Sequence, residues 1–467
     1  MKKERDKHRT QYQGVSVAGM APGGWGVVDQ GGNRLLVWGG LMGDRLDVRV
    51  VRRERDRTEA AIDRIVARPI TTTSPSCSHF DVCGGCLWQH VAYEAQLQLK
   101  RNMVQGCFLA SGLDADLVKP LLGNKEAFFY RNKMDFTFGP NRLGQQALGM
   151  FESPFKVGLT QKYEGVPPVF EVETCWLQSD VGNRMVAWIR QAIASRQKLT
   201  NEAGNLRSLV IRDGKHTGEI LVHFLVGGAC EELLQPIAQE LIQIFPQIRG
   251  VVLSVNPKRS KHAKPTKQVV LAGQGWIFEH ILGCHIRVSA TSFLQVNTQQ
   301  AERLYAQALD YAELTDRSTV LDLYCGTGTL SLLLAQKAAR VVGVEVMDSA
   351  IHDACLNAEH NGIANCRFVC GDVLKIMPEL ANEHFCPDVV MINPPRAGIY
   401  RAVIRQICDL NPARIVYISC QPETLARDLV HFVKAGYHIV QVQPVDLFPQ
   451  TPHVEVVVKL EKSPEHI

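Results

Sequence analysis

From about residue 288 onwards the sequence alternates between short β-branched apolar runs and segments whose apolar residues recur at helical spacing. This alternation is typical of a doubly wound parallel sheet with helices on both faces, so it predicts a Rossmann-like α/β fold for this part of the chain. The apolar run at residues 320–324 leads into Gly326-Thr327-Gly328 and then into a helical segment. A Gly-x-Gly turn lets a ligand come close to the backbone at the amino end of a helix, which predicts a nucleotide-type site.

Polar residues follow the next strands of this predicted sheet. Glu345 ends the second strand, 19 residues beyond Gly326, where a carboxylate can bind both hydroxyls of a ribose. Asp372 follows the third strand, where it can meet an adenine amino group, and the fourth stops at Asn393. A dinucleotide-binding loop would have its third glycine at the position of Ser331. We therefore expect a single nucleoside without a pyrophosphate, and S-adenosylmethionine is the common cofactor of that kind.

Residues 415–437 have the pattern of a buried strand, a tight turn and a helix, with Cys420 at the carboxyl end of the strand. Ligands of open α/β sheets bind at that edge, so Cys420 is placed where a reactive thiol could act. The alternative is a small buried apolar side chain, which is the ordinary role of a free cysteine. The glycine loop and an acidic residue in a near-terminal strand, Glu455, favour the catalytic interpretation.

Three cysteines, Cys77, Cys83 and Cys86, lie close together in one segment with two glycines between the last pair. This spacing indicates a metal-binding loop rather than three unrelated thiols. Structural zinc sites and iron–sulfur clusters both favour four thiolates, so a fourth ligand is expected. Cys175 is the best fourth ligand and Cys107, in a predicted helix, is the runner-up. The spacing alone does not distinguish zinc from iron and sulfur.

The amino-terminal segment has short apolar runs separated by glycine-bearing turns, which predicts a small five-stranded barrel of the oligonucleotide-binding kind. Residues 1–70 contain fourteen Lys or Arg against nine Asp or Glu, whereas the whole chain has a net charge of only +4. Such a basic excess could face phosphates, and the alternative is a solvated arginine face. The arginines that crowd its later strands are Arg49, Arg52, Arg53, Arg55 and Arg57.

The bulk composition bounds the class of protein. With 467 residues, 46% hydrophobic and 21% charged, the chain is an ordinary globular protein of two to four domains. No apolar run approaches the length of a membrane span, and the charged amino terminus leads into no apolar core. We therefore expect a cytoplasmic monomer with no membrane partner, whose 14 cysteines are thiols, metal ligands or catalytic groups rather than disulfides.

Together these motifs resemble the S-adenosylmethionine-dependent RNA uracil-C5 methyltransferases. The chain is most similar to the subgroup that has a TRAM domain and a [4Fe–4S] cluster and includes the bacterial 23S ribosomal RNA enzymes. The similarity covers nearly the whole chain. Besides the barrel and the cysteines, it rests on residues 293–297, 321–328, 419–422 and 453–455.

The resemblance implies three domains: a TRAM β-barrel at residues 12–70, an α+β iron–sulfur domain at 75–286 and a methyltransferase domain at 287–467. It implies that Cys420 is the nucleophile and Glu455 the base. Asn393 stands where the family usually has Asp, and an amide can still accept a hydrogen bond. The implied cluster ligands are Cys77, Cys83, Cys86 and Cys175. The positions that match cofactor-binding residues are Gln295, Tyr324, Thr329, Glu345, Asp372 and Asn393.

The implied chemistry explains why a thiol and a carboxylate are needed together. Carbon 5 of uracil is a poor nucleophile until a thiolate adds at carbon 6 and turns the ring into an enolate. After methylation a base must remove the proton from carbon 5 so that the thiolate can leave. The uridine must also leave its stack to reach a buried thiol. Arg396 could stabilise the enolate oxygen, bind a phosphate or form an ion pair. The expected partner is RNA, 23S ribosomal RNA first and transfer RNA as the alternative.

Two other functions compete with this one. Asn393-Pro394-Pro395 resembles a motif of methyltransferases that act on nitrogen atoms, but those enzymes usually continue with an aromatic residue, where this chain has Arg396. They also need no nucleophilic cysteine. The second rival is a noncatalytic RNA-binding protein, and the presence of both Cys420 and Glu455 argues against it.

Overall fold

The computed structural model describes residues 10–54, 57–153, 156, 166–196, 205–258 and 265–462. Over these ranges the strands form three large sheets and one two-stranded sheet. Arg55, one of the arginines assigned to the barrel, lies outside them. Every helix within them is too short or too polar to span a lipid bilayer.

The first sheet is formed by the segment that the sequence assigns to a barrel. Its strands are β1 Gln11–Ser16, β2 Gly19–Ala21, β3 Trp25–Gln30, β4 Asn33–Trp38, β5 Arg45–Arg53 and β6 Thr58–Ala67. They lie in the order β1-β5-β6-β4-β3-β2. The prediction of five strands was wrong, because the described residues of this segment form six strands. Strand β2 is only three residues long, and β6 mixes charged with apolar residues, so neither has a clear alternation.

Three of the predicted phosphate-facing arginines are paired with acids of the same amino-terminal segment. Arg57 contacts Glu59 at 2.9 Å. The other two pairs are Arg49 with Asp63 and Arg52 with Glu54. These ion pairs support the alternative of a solvated arginine face at these positions.

The second sheet is mostly antiparallel and carries two helices. Its strands are β7 Lys133–Pro140, β8 Gln146–Phe151, β9 Val169–Phe170, β10 Leu206–Asp213, β11 Ile220–Val226, β12 Ile248–Val255 and β13 Lys267–Gly273. They lie in the order β13-β12-β11-β10-β7-β8-β9, and only β11 and β12 pair in parallel. Helices α2 Asp180–Ala194 and α3 Glu231–Ile244 bury their apolar faces in one core with this sheet. A hairpin of β14 Trp276–Ile281 and β15 Cys284–Ser289 follows.

The third sheet has the predicted alternation of strands and helices. Its strands are β16 Thr319–Leu323, β17 Arg340–Glu345, β18 Cys366–Cys370, β19 Val389–Ile392, β20 Arg414–Ser419, β21 Tyr437–Val445 and β22 Glu455–Lys462. Their order is β18-β17-β16-β19-β20-β22-β21. The first five are parallel, and β22 runs antiparallel between β20 and β21. The helices of this part, numbered from α4 to α9, are Thr298–Ala312, Thr329–Ala335, Asp348–His360, Val373–Asn382, Arg401–Asp409 and Pro422–Lys434.

Helix α1, Tyr93–Ala110, joins the amino-terminal part of the chain to this sheet. It contacts β2 on one side and α9 on the other. Leu99 and Met103 of α1 belong to the same buried cluster as Leu425 and Leu429 of α9. A helix that precedes the second sheet in sequence is thus part of the core that supports the third.

The glycine loop between β16 and α5 requires glycine at Gly328. Its backbone has a φ of +80°, in the left-handed region that favours glycine. A Cβ atom at this position would lie 2.8 Å from the Phe368 ring and 2.9 Å from the Ala354 side chain. The loop therefore packs closely against β18 and α6 at Gly328, whereas a Cβ atom at Gly326 would meet nothing within 4 Å.

Candidate active site

The third sheet reverses its strand order between β16 and β19. Strands β17 and β18 extend from β16 in one direction, and β20 lies beyond β19 in the other. Ligands of open parallel sheets bind outside the carboxyl ends of the strands at such a reversal. Tyr324 and Asn393 follow these two strands directly, and the Asn393 N–H donates to the Leu323 carbonyl at 3.3 Å. This edge of the sheet is therefore the expected position of the active site.

Cys420 and Glu455 are neighbours at this edge. Ser419, the last residue of β20, pairs with Val456 of the antiparallel strand β22. Cys420, the residue that follows β20, is thereby brought next to Glu455, the first residue of β22, whose charge acts on the thiol. Opposed residues of antiparallel strands have Cα atoms about 4.5 to 5.5 Å apart and side chains on the same face. Cys420 is half-buried, and only 3% of Glu455 is exposed.

One cation acts on both groups. Burial raises the pKa of the Cys420 thiol and the neighbouring Glu455 raises it further, whereas Arg396 lowers it and hydrogen-bonds the thiol. Burial also raises the pKa of Glu455 to about 8, against the opposing effect of Arg396. Arg396 itself is exposed. The site can therefore hold a thiol and a protonated carboxyl at rest and can stabilise an anion on either of them.

The acidic residues predicted to bind the nucleoside lie around the glycine loop. The Glu345 carboxylate accepts the Gly326 N–H at 3.2 Å. Asp372 caps the amino end of α7. Burial raises the pKa of Tyr324 to about 12, and the charges of Asp372 and Glu345 contribute to that rise. The phenol and both carboxylates are thus close to one another.

The remaining cofactor positions come from two further segments. Gln295 is buried between β15 and α4, and its carbonyl accepts the Asn132 amide at 2.8 Å. The Thr327 hydroxyl donates to the Phe293 carbonyl at 3.4 Å, which joins this segment to the glycine loop. Thr329 is buried at the start of α5. The structure thus gathers the six predicted cofactor positions around one edge of the sheet.

The four cysteines predicted to be metal ligands line one cavity of about 60 Å³. Burial raises the pKa of Cys86 to about 12, and Cys83, Cys175 and Cys77 contribute to that rise. Cys107 lies instead in a groove between α1 and β2. The structure therefore brings Cys175, and not the runner-up, to the three cysteines of the loop. In the ranges that the structure describes, no group of three or more His, Cys, Asp and Glu side chains is arranged to hold a metal ion.

Contacts with α1 hold the loop between β21 and β22, and these contacts were not among the predicted features of the chain. This 446–454 loop immediately precedes Glu455. The buried Lys100 of α1 donates to Asp446, and Gln96 exchanges two hydrogen bonds with Gln450. A signal was available, because Tyr93, Gln96 and Lys100 are polar residues at helical spacing on one face of α1.

Comparisons with known proteins agree with this geometry. The sequence model of the family described as tRNA (Uracil-5-)-methyltransferase matches residues 282–463. An "uncharacterized RNA methyltransferase" of Halalkalibacterium halodurans is 36% identical over 456 residues, covering 96% of this chain and 96% of that protein. Another protein of that description, from Porphyromonas gingivalis, is 36% identical over 442 residues, covering 91% and 94%.

A solved structure extends the similarity to the fold. The Pyrococcus abyssi tRNA (uracil-54, C5)-methyltransferase in complex with S-adenosyl-L-homocysteine has a TM-score of 0.70 and 25% identity. The match covers 96% of this chain and 99% of that chain. Fold and site together define an S-adenosylmethionine-dependent RNA methyltransferase. The chain belongs to the tRNA (uracil-5-)-methyltransferase family of these enzymes, which confirms the predicted family, enzyme class and S-adenosylmethionine cofactor.

Proposed function

We propose that this enzyme methylates carbon 5 of a uridine in 23S ribosomal RNA through a covalent bond between Cys420 and carbon 6 of the ring. The main support for a covalent mechanism is that Cys420 lies next to Glu455 at the cofactor edge of the sheet. Methyl transfer to nitrogen would need no thiol at that position. Neither a nitrogen methyltransferase nor a noncatalytic RNA-binding protein explains why the thiol and the carboxyl lie together, whereas the covalent mechanism does.

Cys420 and Arg396 act in the first half of the reaction. Because burial keeps the thiol protonated at rest, it must lose its proton before it attacks, and solvent water at the half-buried Cys420 takes that proton. The Arg396 guanidinium favours the thiolate, which adds to carbon 6 of the uracil. The electron pair of the carbon 5–carbon 6 double bond moves towards the carbonyl oxygen and forms an enolate. Carbon 5 then takes the methyl group from the sulfonium, and S-adenosylhomocysteine leaves.

The second half belongs to Glu455. Its carboxylate removes the proton from carbon 5, the double bond forms again, and the bond between sulfur and carbon 6 breaks. A general base works best with a pKa near the working pH, and burial places that of Glu455 at about 8. Arg396 keeps part of the population ionised. The same burial that raises the pKa also excludes competing water from the adduct.

The cofactor has a matching set of groups at the edge of the sheet. Glu345 would bind the ribose hydroxyls, Asp372 would meet the adenine amino group, and Tyr324 would contact the cofactor near both carboxylates. The amide oxygen of Asn393 would accept a hydrogen bond from the cofactor or from the uracil. Gln295 and Thr329 complete the cofactor pocket from the β15–α4 segment and from the start of α5.

We also propose that Cys77, Cys83, Cys86 and Cys175 hold a [4Fe–4S] cluster. Four thiols around one buried cavity are the donor set of such a cluster. In a cluster each iron binds one thiolate, so the four sulfur atoms surround a volume and do not converge on a single point as they do around zinc. No step of the proposed reaction needs an electron, so the cluster would organise the surrounding chain.

The cluster makes a direct prediction about metal content. Protein purified without oxygen should contain about four iron atoms and four acid-labile sulfides per chain, because four thiolates are the usual ligand set. The variant Cys86→Ser should lose both, whereas Cys355→Ser, which changes an exposed cysteine outside the cavity, should keep them. Elemental analysis and visible absorption give the result. Zinc without iron or sulfide would contradict the cluster.

The RNA target is best tested in cells. The Pyrococcus abyssi enzyme is described as acting on uracil 54 of tRNA, so transfer RNA is the second candidate substrate. We expect that deleting the gene removes 5-methyluridine from one position of 23S ribosomal RNA and leaves transfer RNA unchanged. Mass spectrometry of nuclease fragments from both RNAs provides the measurement. Loss of the nucleoside from transfer RNA alone would exclude the ribosomal target.

The proposed enzyme works as a cytoplasmic monomer with three domains, at residues 12–70, 75–286 and 287–467. The first two would hold the RNA around the extruded uridine, and the third would methylate it. Base flipping is required because carbon 5 and carbon 6 must reach the cofactor and Cys420 at the same time.

A further inference from the structure

The 446–454 loop is fixed at its beginning by a buried ion pair. Lys100 of α1 donates to the Asp446 carboxylate at 2.5 Å and to the Phe448 carbonyl at 3.0 Å. The Tyr93 hydroxyl donates to the other oxygen of Asp446 at 2.8 Å. The side chains of Lys100 and Asp446 are both fully buried. A buried charge without its partner is costly, so these contacts hold the loop against α1.

The middle of the loop is fixed at Gln450. Its backbone has a φ of +69°, and only 4% of the residue is exposed. Its carbonyl accepts the N–H groups of Leu87 at 2.9 Å and of Trp88 at 3.0 Å. Its N–H donates to the side-chain oxygen of Gln96, and its side-chain oxygen accepts the Gln96 amide, both at 2.9 Å. Leu87 and Trp88 come directly after Cys86, so the loop is joined to the cysteine-lined segment.

A single side chain, Gln96, connects three parts of the chain. Besides the Gln450 side-chain oxygen, its amide nitrogen faces the carbonyls of Trp88 at 3.0 Å and Val91 at 2.9 Å, so its two hydrogens are shared among three acceptors. Only 1% of Gln96 is exposed. Removing its amide would leave several buried polar groups without a partner, and water cannot readily replace it. Gln96 therefore sets how far the loop stands from α1 and from the turn after the cysteines.

The position of Glu455 depends on this loop. The pairing between β20 and β22 ends at Ser419 and Val456, so Glu455 lies one residue beyond the last pair that holds β22 to the strand of the thiol. On its other side Glu455 pairs with Val445, and the nine residues from 446 to 454 connect these two. A hairpin loop of that length is not fixed by its own turn geometry. Contacts from outside the hairpin must fix it.

We propose that Gln96 and Gln450 are positioning residues for Glu455: their paired amides hold the 446–454 loop so that the carboxylate reaches the proton on carbon 5. The inference rests on the proposed role of Glu455 as the base. The turn that follows the cysteines also helps to position the loop, because the Gln450 carbonyl accepts hydrogen bonds from Leu87 and Trp88 in that turn. Neither residue touches the reacting atoms.

The role predicts a kinetic signature that a purely structural role would not produce. In Gln96→Leu, addition of Cys420 and methyl transfer should proceed, because β20 and the cofactor edge are untouched, while release of the methylated RNA should slow by about 10- to 100-fold. The methylated adduct should therefore accumulate as a protein–RNA complex that survives denaturing electrophoresis. The probe is an unmethylated transcript of 23S ribosomal RNA. It is mixed with labelled S-adenosylmethionine and the full-length protein in rapid-quench experiments.

Two further variants make the result interpretable. Gln98→Leu alters a neighbouring exposed residue of α1 whose side-chain amide donates to Asn102 of the same helix, so the release rate of this variant should equal that of the wild type. Gln450→Gly removes the side-chain contact where a φ of +69° suits glycine, and it should slow release if Gln96→Leu does not fold.

The outcomes separate the two proposals. Normal release in Gln96→Leu and Gln450→Gly, or an equal loss of methyl transfer and release, would overturn the positioning role. Failure of Glu455→Gln to retain any adduct would instead overturn the proposed function of Glu455. Slow release in all three, with methyl transfer intact, is the result that the structure predicts.

Discussion

Replacing Cys420 by alanine should abolish methyl transfer, lowering the turnover rate by at least about 10⁴-fold. The reason is chemical, because carbon 5 of uracil does not attack a sulfonium until a thiolate has added at carbon 6. Arg396 and Glu455 cannot substitute, since one is a cation and the other is proposed to act only after methylation. Transfer of labelled methyl groups from S-adenosylmethionine to RNA measures the loss. Cofactor binding, followed by calorimetry, should stay within about twofold of the wild type.

The matched control is Cys355→Ala, which removes an exposed thiol of α6 and should leave the rate unchanged. RNA that contains 5-fluorouridine adds a second readout, because fluorine cannot leave carbon 5 as a proton does. The wild type should form an adduct with this RNA that survives denaturation, and Cys420→Ala should form none. Full methylation by Cys420→Ala would favour transfer to nitrogen. An inert wild type would favour the noncatalytic RNA-binding protein.

The positions of several candidate site residues could be predicted from the sequence, because each of these residues directly follows one strand. In a parallel sheet the carboxyl ends of the strands meet at one edge, so the residues that follow each strand can be placed together without knowing any contact. Glu345, Asn393 and Cys420 were predicted in this way, and the structure places them at that edge. The alternation of apolar runs and helical segments was enough for this part of the fold.

Contacts between distant parts of the chain could not be predicted. Lys100 and Asp446 are separated by 346 positions, and neither residue type is expected to be fully buried on composition grounds. The position of Glu455 opposite Cys420 depends on the register of β22 against β20, which no local pattern determines. The hydrogen bond of Arg396 to the thiol depends on the same packing. Helix α1 was assigned to the central part of the chain, although its core is shared with α9.

The largest effect after Cys420 is expected from Glu455→Gln. The amide has nearly the same shape but cannot accept the proton of carbon 5, so methyl transfer should occur once and release should slow by about 10²- to 10⁴-fold. The enzyme should therefore remain bonded through Cys420 to the methylated RNA, even when that RNA contains ordinary uridine instead of 5-fluorouridine. Denaturing electrophoresis with labelled cofactor should show one methyl group per trapped complex. Normal turnover by this variant would assign proton removal to another group.

The pH dependence gives an independent check on the same residue. Because burial raises the pKa of Glu455 to about 8, its basic form is a minor species at pH 6 and dominates above pH 8. Release by the wild type should therefore accelerate by about tenfold per pH unit below 8 and then level off. Glu455→Gln should show slow release without this inflection. Methyl transfer needs the Cys420 thiolate, whose pKa is raised by burial, so its rate should keep rising with pH through this range and should not level off near pH 8.

The pH dependence of protein stability tests the burial of Glu455 independently of its role as a base. A carboxyl whose pKa rises from 4.5 in the unfolded chain to about 8 in the folded one binds more protons when folded. Its contribution to stability is therefore complete below pH 4.5 and is lost as the pH rises through 8. Glutamine is neutral at every pH, so Glu455→Gln should gain stability relative to the wild type between pH 5 and pH 9. Thermal unfolding at these two pH values measures the gain, and a constant difference would mean that the carboxyl of the folded protein ionises at its ordinary pKa.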